Sequence, residues 1–127
     1  PKRQRTEILH GALDYLLAYE ADITKHLIDG LNTIKNLKIQ GVTANEAIHR
    51  RLPTVSFTIT NYQSSDIAAA LARENIFVWS GHSYALEVVK SLTLLDSGGV
   101  VRVGPVHYNG TEEIDDFIEL LGRITTH

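Results

Sequence analysis

Arg102 is the residue of this chain whose type and setting first suggest chemistry. It lies in the run Val100-Val101-Arg102-Val103, between Gly98-Gly99 and Gly104-Pro105, a pattern that predicts a short buried strand. An unpaired cation buried among valines would cost several kcal/mol or more, so we expect Arg102 to have an anionic partner. Its planar fork suits a carboxylate or a phosphate. The alternative is a structural Arg–Glu ion pair at the strand end.

The segment after this strand predicts a helix. Asn109 or Gly110 is a suitable cap, and Glu112 and Glu113 fall in the first turn, where the helix dipole favours acidic side chains. Apolar residues then recur at helical spacing, at Ile114, Phe117, Ile118 and Leu121.

A second candidate site is the turn over residues 80–87, between a predicted strand, Ile76–Trp79, and a predicted helix, Ala85–Leu92. His82 follows a glycine in this turn and either contacts a ligand or belongs to a plain polar turn. Tyr84 either donates a phenolic hydrogen bond into a site or packs against the start of the helix.

The first element is predicted as a helix that Thr6 caps and that runs toward Gly30. Its apolar stripe has spacings of three, four and seven, which indicates a face turned to the core. The stripe consists of Leu9, Leu13, Leu16, Ile23, Leu27, Leu31 and Ile34.

Two strands and a second helix follow. Leu37–Val42 predicts a strand, residues 43–51 a loop or helical turn, and residues 54–60 an alternating strand. Ser64 or Ser65 is expected to cap the helix after it, and Asn75 to end that helix in the left-handed conformation. Trp79, in the next strand, is assigned to the core, with contact to a ligand as the alternative.

These elements predict an α+β fold. We expect one domain, residues 1–127, with a small, mostly antiparallel, four-stranded sheet and helices packed on one face. The predicted order is helix, strand, strand, helix, strand, helix, strand, helix.

Composition narrows the function. The formal charge of −3 and a single basic cluster at Lys2, Arg3 and Arg5 argue against a nucleic-acid surface. No apolar run has the roughly 18 residues of a membrane helix, and no signal peptide is visible, so the cytoplasm is the default location. The six histidines lack metal-ligand spacing, and the absence of cysteine excludes disulfides and a thiol nucleophile.

The strand with Arg102, followed by Tyr108-Asn109 and an acidic helix start, resembles the last strand and helix of class V aminotransferases, a pyridoxal-phosphate (PLP) family that includes cysteine desulfurases. Tyr19-Glu20-Ala21-Asp22, in the first helix, is similar to the helix that leads into the small domain of these enzymes. The resemblance implies that Arg102 binds the α-carboxylate of an amino-acid substrate, with His82 and Tyr84 as further substrate-binding candidates.

The resemblance covers only the small C-terminal domain of such an enzyme. The lysine that binds PLP and the aspartate that pairs with its ring nitrogen belong to the large domain, and Lys2, Lys25, Lys35, Lys38 and Lys90 lie in no matching motif. We therefore expect no PLP bound to this chain alone, and no catalysis by it. Pro1 at the start and the lack of methionine suggest a fragment.

One departure from the desulfurase pattern concerns sulfur chemistry. The turn that carries the nucleophilic cysteine of desulfurases has Tyr84 at the matching position, and persulfide chemistry requires a thiolate. The chain resembles instead a desulfurase-like branch with Trp or Tyr in this region.

Two functions remain open. The first is the substrate-binding small domain of a PLP-dependent enzyme, whose partners are an amino-acid substrate, the missing large domain and a second copy in a homodimer. The alternative is a free-standing α+β ligand-binding or dimerisation module, in which Arg102 binds an effector anion.

Overall fold

The chain forms four helices and one sheet, and the computed structural model describes residues 2–126. In chain order the elements are α1 (Lys2–Leu31), β1 (Leu37–Gln40), a 3₁₀ helix (Asn45–Arg50), β2 (Val55–Ile59), α2 (Ser64–Arg73), β3 (Trp79–Gly81), α3 (Leu86–Ser91), β4 (Val100–Val103) and α4 (Thr111–Ile124). This order confirms the predicted α+β class. Within these residues, no helix combines the length and the apolar character needed to cross a bilayer.

The sheet is antiparallel throughout, with strand order β1-β2-β4-β3. The last strand in the chain, β4, therefore lies inside the sheet, between β2 and β3. Along β2, Val55, Phe57 and Ile59 are buried and Ser56 and Thr58 are not, which confirms the predicted alternation.

The core lies between one face of the sheet and helices α1, α2 and α4. Its fully buried side chains come from the sheet and from these helices: Val55, Phe57, Val101, Leu27, Ile28, Leu31, Ile67, Leu71 and Leu121. The opposite face of the sheet is polar over β1 and β2, where Gln40 Nε2 donates a 3.4 Å hydrogen bond to Thr58 Oγ1. The helices thus cover one face and leave the other open.

Helix α1 differs from its prediction at its N-terminus. It begins at Lys2, so Thr6 lies inside it, and it ends at Leu31, one residue after the predicted end at Gly30. A Cβ at position 30 would lie 2.7 Å from Cγ1 of Ile118 on α4. The glycine thus also permits close contact between α1 and α4.

The apolar stripe of α1 is core-facing over only half its length. Ile23, Leu27 and Leu31 are buried, whereas Leu9 and Leu13 are more than half exposed. The periodicity predicted the helix correctly, but within the described residues no neighbouring element covers its N-terminal half.

Helix α2 is capped by Gln63, not by either predicted serine. The Ser64 hydroxyl is buried and donates a 2.6 Å hydrogen bond to the carbonyl of Gly98, so it is unavailable as a cap. Asn75 follows the helix with φ +63°, which confirms the left-handed termination. Strand β3 begins only at Trp79, because the segment before it has no paired strand.

Candidate functional site

Arg102 lies in the middle of the open sheet face. Its partners across the strands are Ser56 on β2 and Trp79 on β3. Alternation turns Val101 into the core and Arg102 outward, so the side chain is exposed and the prediction of a buried cation is wrong. Among residues 2–126, Arg102 forms no ion pair and no side-chain hydrogen bond, so the structural Arg–Glu pair is not formed and its guanidinium is available to a ligand.

Trp79 is exposed rather than part of the core. Its side chain is 77% exposed, whereas Ile76 and Val78 pack against the core cluster. The assignment from residue type failed because alternation along this segment turns Trp79 to the open face, where it lies opposite Arg102.

The candidate turn follows β3 at the outer edge of the sheet. His82 and Tyr84 are both exposed, and the Ala85 N–H donates a 2.7 Å hydrogen bond to the His82 carbonyl. Ser83 and Tyr84 have φ values of +47° and +62°, a left-handed conformation that costs about 1–2 kcal/mol for each non-glycine residue. Tyr84 is fully exposed, so it does not pack against the helix, and its phenol points into solvent.

The register gives the separation between this turn and Arg102. Gly81, the last residue of β3, lies opposite Val100, two residues before Arg102. At about 3.4 Å per residue, the turn begins roughly 7–10 Å along the sheet from Arg102. The structure therefore brings Arg102 and Trp79 together and places His82 and Tyr84 further along the same end of the sheet.

Gly99 fixes the approach of the turn to β4. It has φ +87°, and a Cβ on it would lie 2.4 Å from the Gly81 carbonyl. The Gly98-Gly99 pair, which precedes the strand with Arg102, therefore serves close backbone packing.

Asn109 organises the connection from β4 to α4, a role that the sequence alone did not reveal. Its side-chain oxygen accepts a 2.9 Å hydrogen bond from the Val106 N–H, and its backbone carbonyl accepts one from the Tyr19 hydroxyl on α1. Asn109 thus links helix α1 to the connection between β4 and α4, just beyond the strand that carries Arg102. The acidic residue four positions after Asn109, Glu113, was the available signal in the sequence.

Glu113 closes this connection. Its carboxylate accepts hydrogen bonds from the Gly110 N–H at 2.9 Å and from the Asn109 amide at 3.3 Å. Both hydrogen bonds hold the pKa of Glu113 below its usual value, and the bond from the Gly110 N–H has the larger effect. Gly110 caps α4, which confirms one of the two predicted cap residues.

Arg51 is a second arginine with a structural role. Its guanidinium donates to the carbonyls of Val42, Leu52 and, at 2.9 Å, Thr54, so it ties the loop before β2 to the end of the β1 segment. Burial lowers its pKa, yet an arginine stays charged at any working pH. The guanidinium of Arg51 is therefore occupied by backbone carbonyls of its own chain, unlike that of Arg102.

Lys25, Lys35, Lys38 and Lys90 are all exposed. Lys25 and Lys90 are held in ion pairs on helix surfaces, with Asp29 and Glu87. Lys38 lies on edge strand β1, opposite Thr58 and two strands away from Arg102.

The family follows from comparison with known proteins. The aminotransferase class-V family matches residues 7–117, and the chain belongs to that family. The aminotransferase-like protein FGM3 of Gibberella zeae is 33% identical over 112 residues, which are 87% of this chain and 28% of that protein. A probable cysteine desulfurase of Synechocystis sp. is 31% identical over 121 residues, 89% of this chain and 28% of that protein.

Solved structures agree with this assignment. The apo cysteine desulfurase of Thermococcus onnurineus NA1 matches with a TM-score of 0.75 and 28% identity, over 84% of this chain and 25% of that chain. The chain therefore spans about a quarter of the length of these relatives.

Proposed function

We propose that this chain is the substrate-binding small domain of a larger PLP-dependent enzyme, and that Arg102 binds the α-carboxylate of its amino-acid substrate. The observation that carries the proposal is the free guanidinium of Arg102 on the open face of an interior strand. The strand fixes the face on which the side chain projects, and the planar guanidinium can form two parallel hydrogen bonds to a carboxylate.

The cofactor belongs to another domain in this proposal. When bound, PLP withdraws electrons from the amino-acid substrate, and the small domain contributes binding and orientation. The surface positions of Lys25, Lys38 and Lys90 support this division of roles.

The open turn supplies further contacts. We assign His82 and Tyr84 to the rim of the substrate site, where the imidazole and the phenol can donate hydrogen bonds to a substrate. Support comes from the two left-handed residues, Ser83 and Tyr84, because strained backbone is concentrated at functional sites.

The exposed half of α1 is the proposed contact with the large domain. Five large apolar side chains are exposed there, and such a surface favours association. They are Ile8, Leu9, Leu13, Tyr15 and Leu17. Without the large domain, we expect the chain to form dimers or larger assemblies through this surface, and a strictly monomeric chain at high concentration would count against this contact.

The carboxylate role is tested by substitution of Arg102 in the full-length enzyme. Lysine keeps the charge but loses the fork, so Arg102→Lys should be impaired and Arg102→Ala more so. Loss of two charged hydrogen bonds of about 1.5–3 kcal/mol each predicts a kcat/KM lower by about 10²-fold or more for Arg102→Ala. Lys38→Ala removes a cation from the same sheet face and is the matched control. Equal losses in Lys38→Ala and Arg102→Ala would contradict the proposal.

A further inference from the structure

Trp79 is an aromatic side chain left in solvent beside the proposed carboxylate site. It is 77% exposed and directly opposite Arg102 in an antiparallel pair. Side chains at such positions have Cβ atoms about 4.5–5.5 Å apart and are in mutual reach. Tryptophan can bury about 150–250 Å² of surface, so the exposed indole beside Arg102 offers a large apolar contact to a ligand.

The other neighbour of Arg102 is chemically different. Ser56, across β2, is small and polar, and Gln40 opposite it on β1 is polar as well. The apolar surface next to Arg102 therefore lies toward β3, at Trp79, and along β4, at Val100, and not on the β2 side. A ligand whose carboxylate binds Arg102 meets a polar surface in one direction and an indole in the other.

We propose that Trp79 is a specificity-determining residue that contacts the side chain of the substrate, and that the substrate is an α-amino acid with an aromatic or other large apolar side chain. This inference rests on the proposed function of Arg102. The side chain of an amino acid begins two bonds from its carboxylate, so a carboxylate held by Arg102 brings that side chain within reach of the indole. Ring stacking and apolar contact then discriminate between substrates.

The experiment compares two acids that lack an amino group and cannot react. Propanoate and 3-phenylpropanoate share a carboxylate and differ by a phenyl ring. Their dissociation constants are measured by calorimetry with the full-length protein and with its Trp79→Ala, Phe77→Ala and Arg102→Gln variants. Phe77 is the matched control. Its side chain is 80% exposed, like that of Trp79, but it precedes β3 and is not paired with Arg102.

For the unmodified protein we expect 3-phenylpropanoate to bind about tenfold more tightly than propanoate. Trp79→Ala should reduce this ratio to about two and leave propanoate binding nearly unchanged, while Phe77→Ala should keep the ratio. Arg102→Gln should weaken both acids by a similar factor, about tenfold or more. All three side chains are exposed, so the variants should keep a melting temperature close to that of the unmodified protein.

The outcomes separate the two proposals. A ratio that survives Trp79→Ala, or falls equally in Phe77→Ala, overturns the specificity role even if Arg102→Gln weakens both acids. Unchanged affinities in Arg102→Gln overturn the carboxylate role, and the inference about Trp79 falls with it. If the unmodified protein binds neither acid saturably, both proposals are wrong.

Discussion

Tyr19 and Asn109, which are 90 positions apart, are joined by a hydrogen bond from the phenol of α1 to the backbone carbonyl before α4. This bond secures the connection that follows Arg102. The same Asn109 closes the turn to Val106 and contacts Glu113, so one residue links α1, β4 and α4.

Removal of the Tyr19 hydroxyl tests this link. Tyr19→Phe should lower the free energy of unfolding by about 1 kcal/mol, because the Asn109 carbonyl loses its donor. Thermal denaturation should show a melting temperature lower by about 3–5 °C. Tyr15→Phe is the control on the same helix, since Tyr15 is 73% exposed, and it should change little. Equal shifts in both variants would show that the Tyr19 hydrogen bond does not stabilise the fold.

Two glycines of α1 should respond oppositely to alanine. A Cβ on Gly11 meets nothing within 4 Å, so Gly11→Ala should gain the helix propensity of alanine, about 1 kcal/mol. A Cβ on Gly30 would lie 2.7 Å from the Ile118 side chain, so Gly30→Ala should be less stable than the unmodified chain. Denaturant unfolding measures both. Stabilisation by Gly30→Ala would show that α1 and α4 are not in this close contact.

The Glu113 cap predicts a pH dependence. The folded-state pKa of Glu113 is below its usual value of 4.5, so its contribution to stability is fully present above pH 4.5 and is lost as the pH falls through the lower folded-state pKa. Glu113→Gln should therefore be less stable than the unmodified chain at pH 7, and the difference should shrink below pH 4.5. Glu112→Gln removes a charge from the same helical turn and is the control. A difference that is constant from pH 7 to pH 3 would be incompatible with this assignment.

Tyr84 is the residue of the candidate turn that a substitution can test. The chain has no cysteine, so mass spectrometry of the full-length protein should find no persulfide on this domain. Tyr84→Phe should lower turnover and leave the melting temperature unchanged, since the side chain is fully exposed. Unchanged turnover would remove Tyr84 from the substrate site.

The fold was largely predictable from the sequence because its signals are local. Alternation in β2, the cap at Gly110 and the left-handed Asn75 each depend on neighbouring residues, and all three predictions were confirmed. The cap of α2 was not, because the Ser64 hydroxyl is engaged by Gly98, 34 positions away. The close packing of Gly30 against Ile118 was not predicted for the same reason, since this contact is long-range.

The site was predictable in its residues but not in its environment. Arg102 was singled out as a cation among valines, yet whether it faces the core depends on the register of three strands. Trp79 was assigned to the core from residue type, and the same register places it on the open face. Residue chemistry identified the candidates, and strand pairing, which local sequence does not encode, determined their neighbours.

The most direct test of the central claim is the discrimination between an amino acid and its decarboxylated amine. The kcat/KM of the full-length enzyme is measured for both compounds, with the unmodified protein, Arg102→Lys and Arg102→Ala. If Arg102 binds the carboxylate, both substitutions should abolish the preference for the acid and leave turnover of the amine nearly intact, with PLP binding unchanged. Equal losses on acid and amine, together with a lower melting temperature, would show that Arg102 has a structural role and would contradict the proposed function.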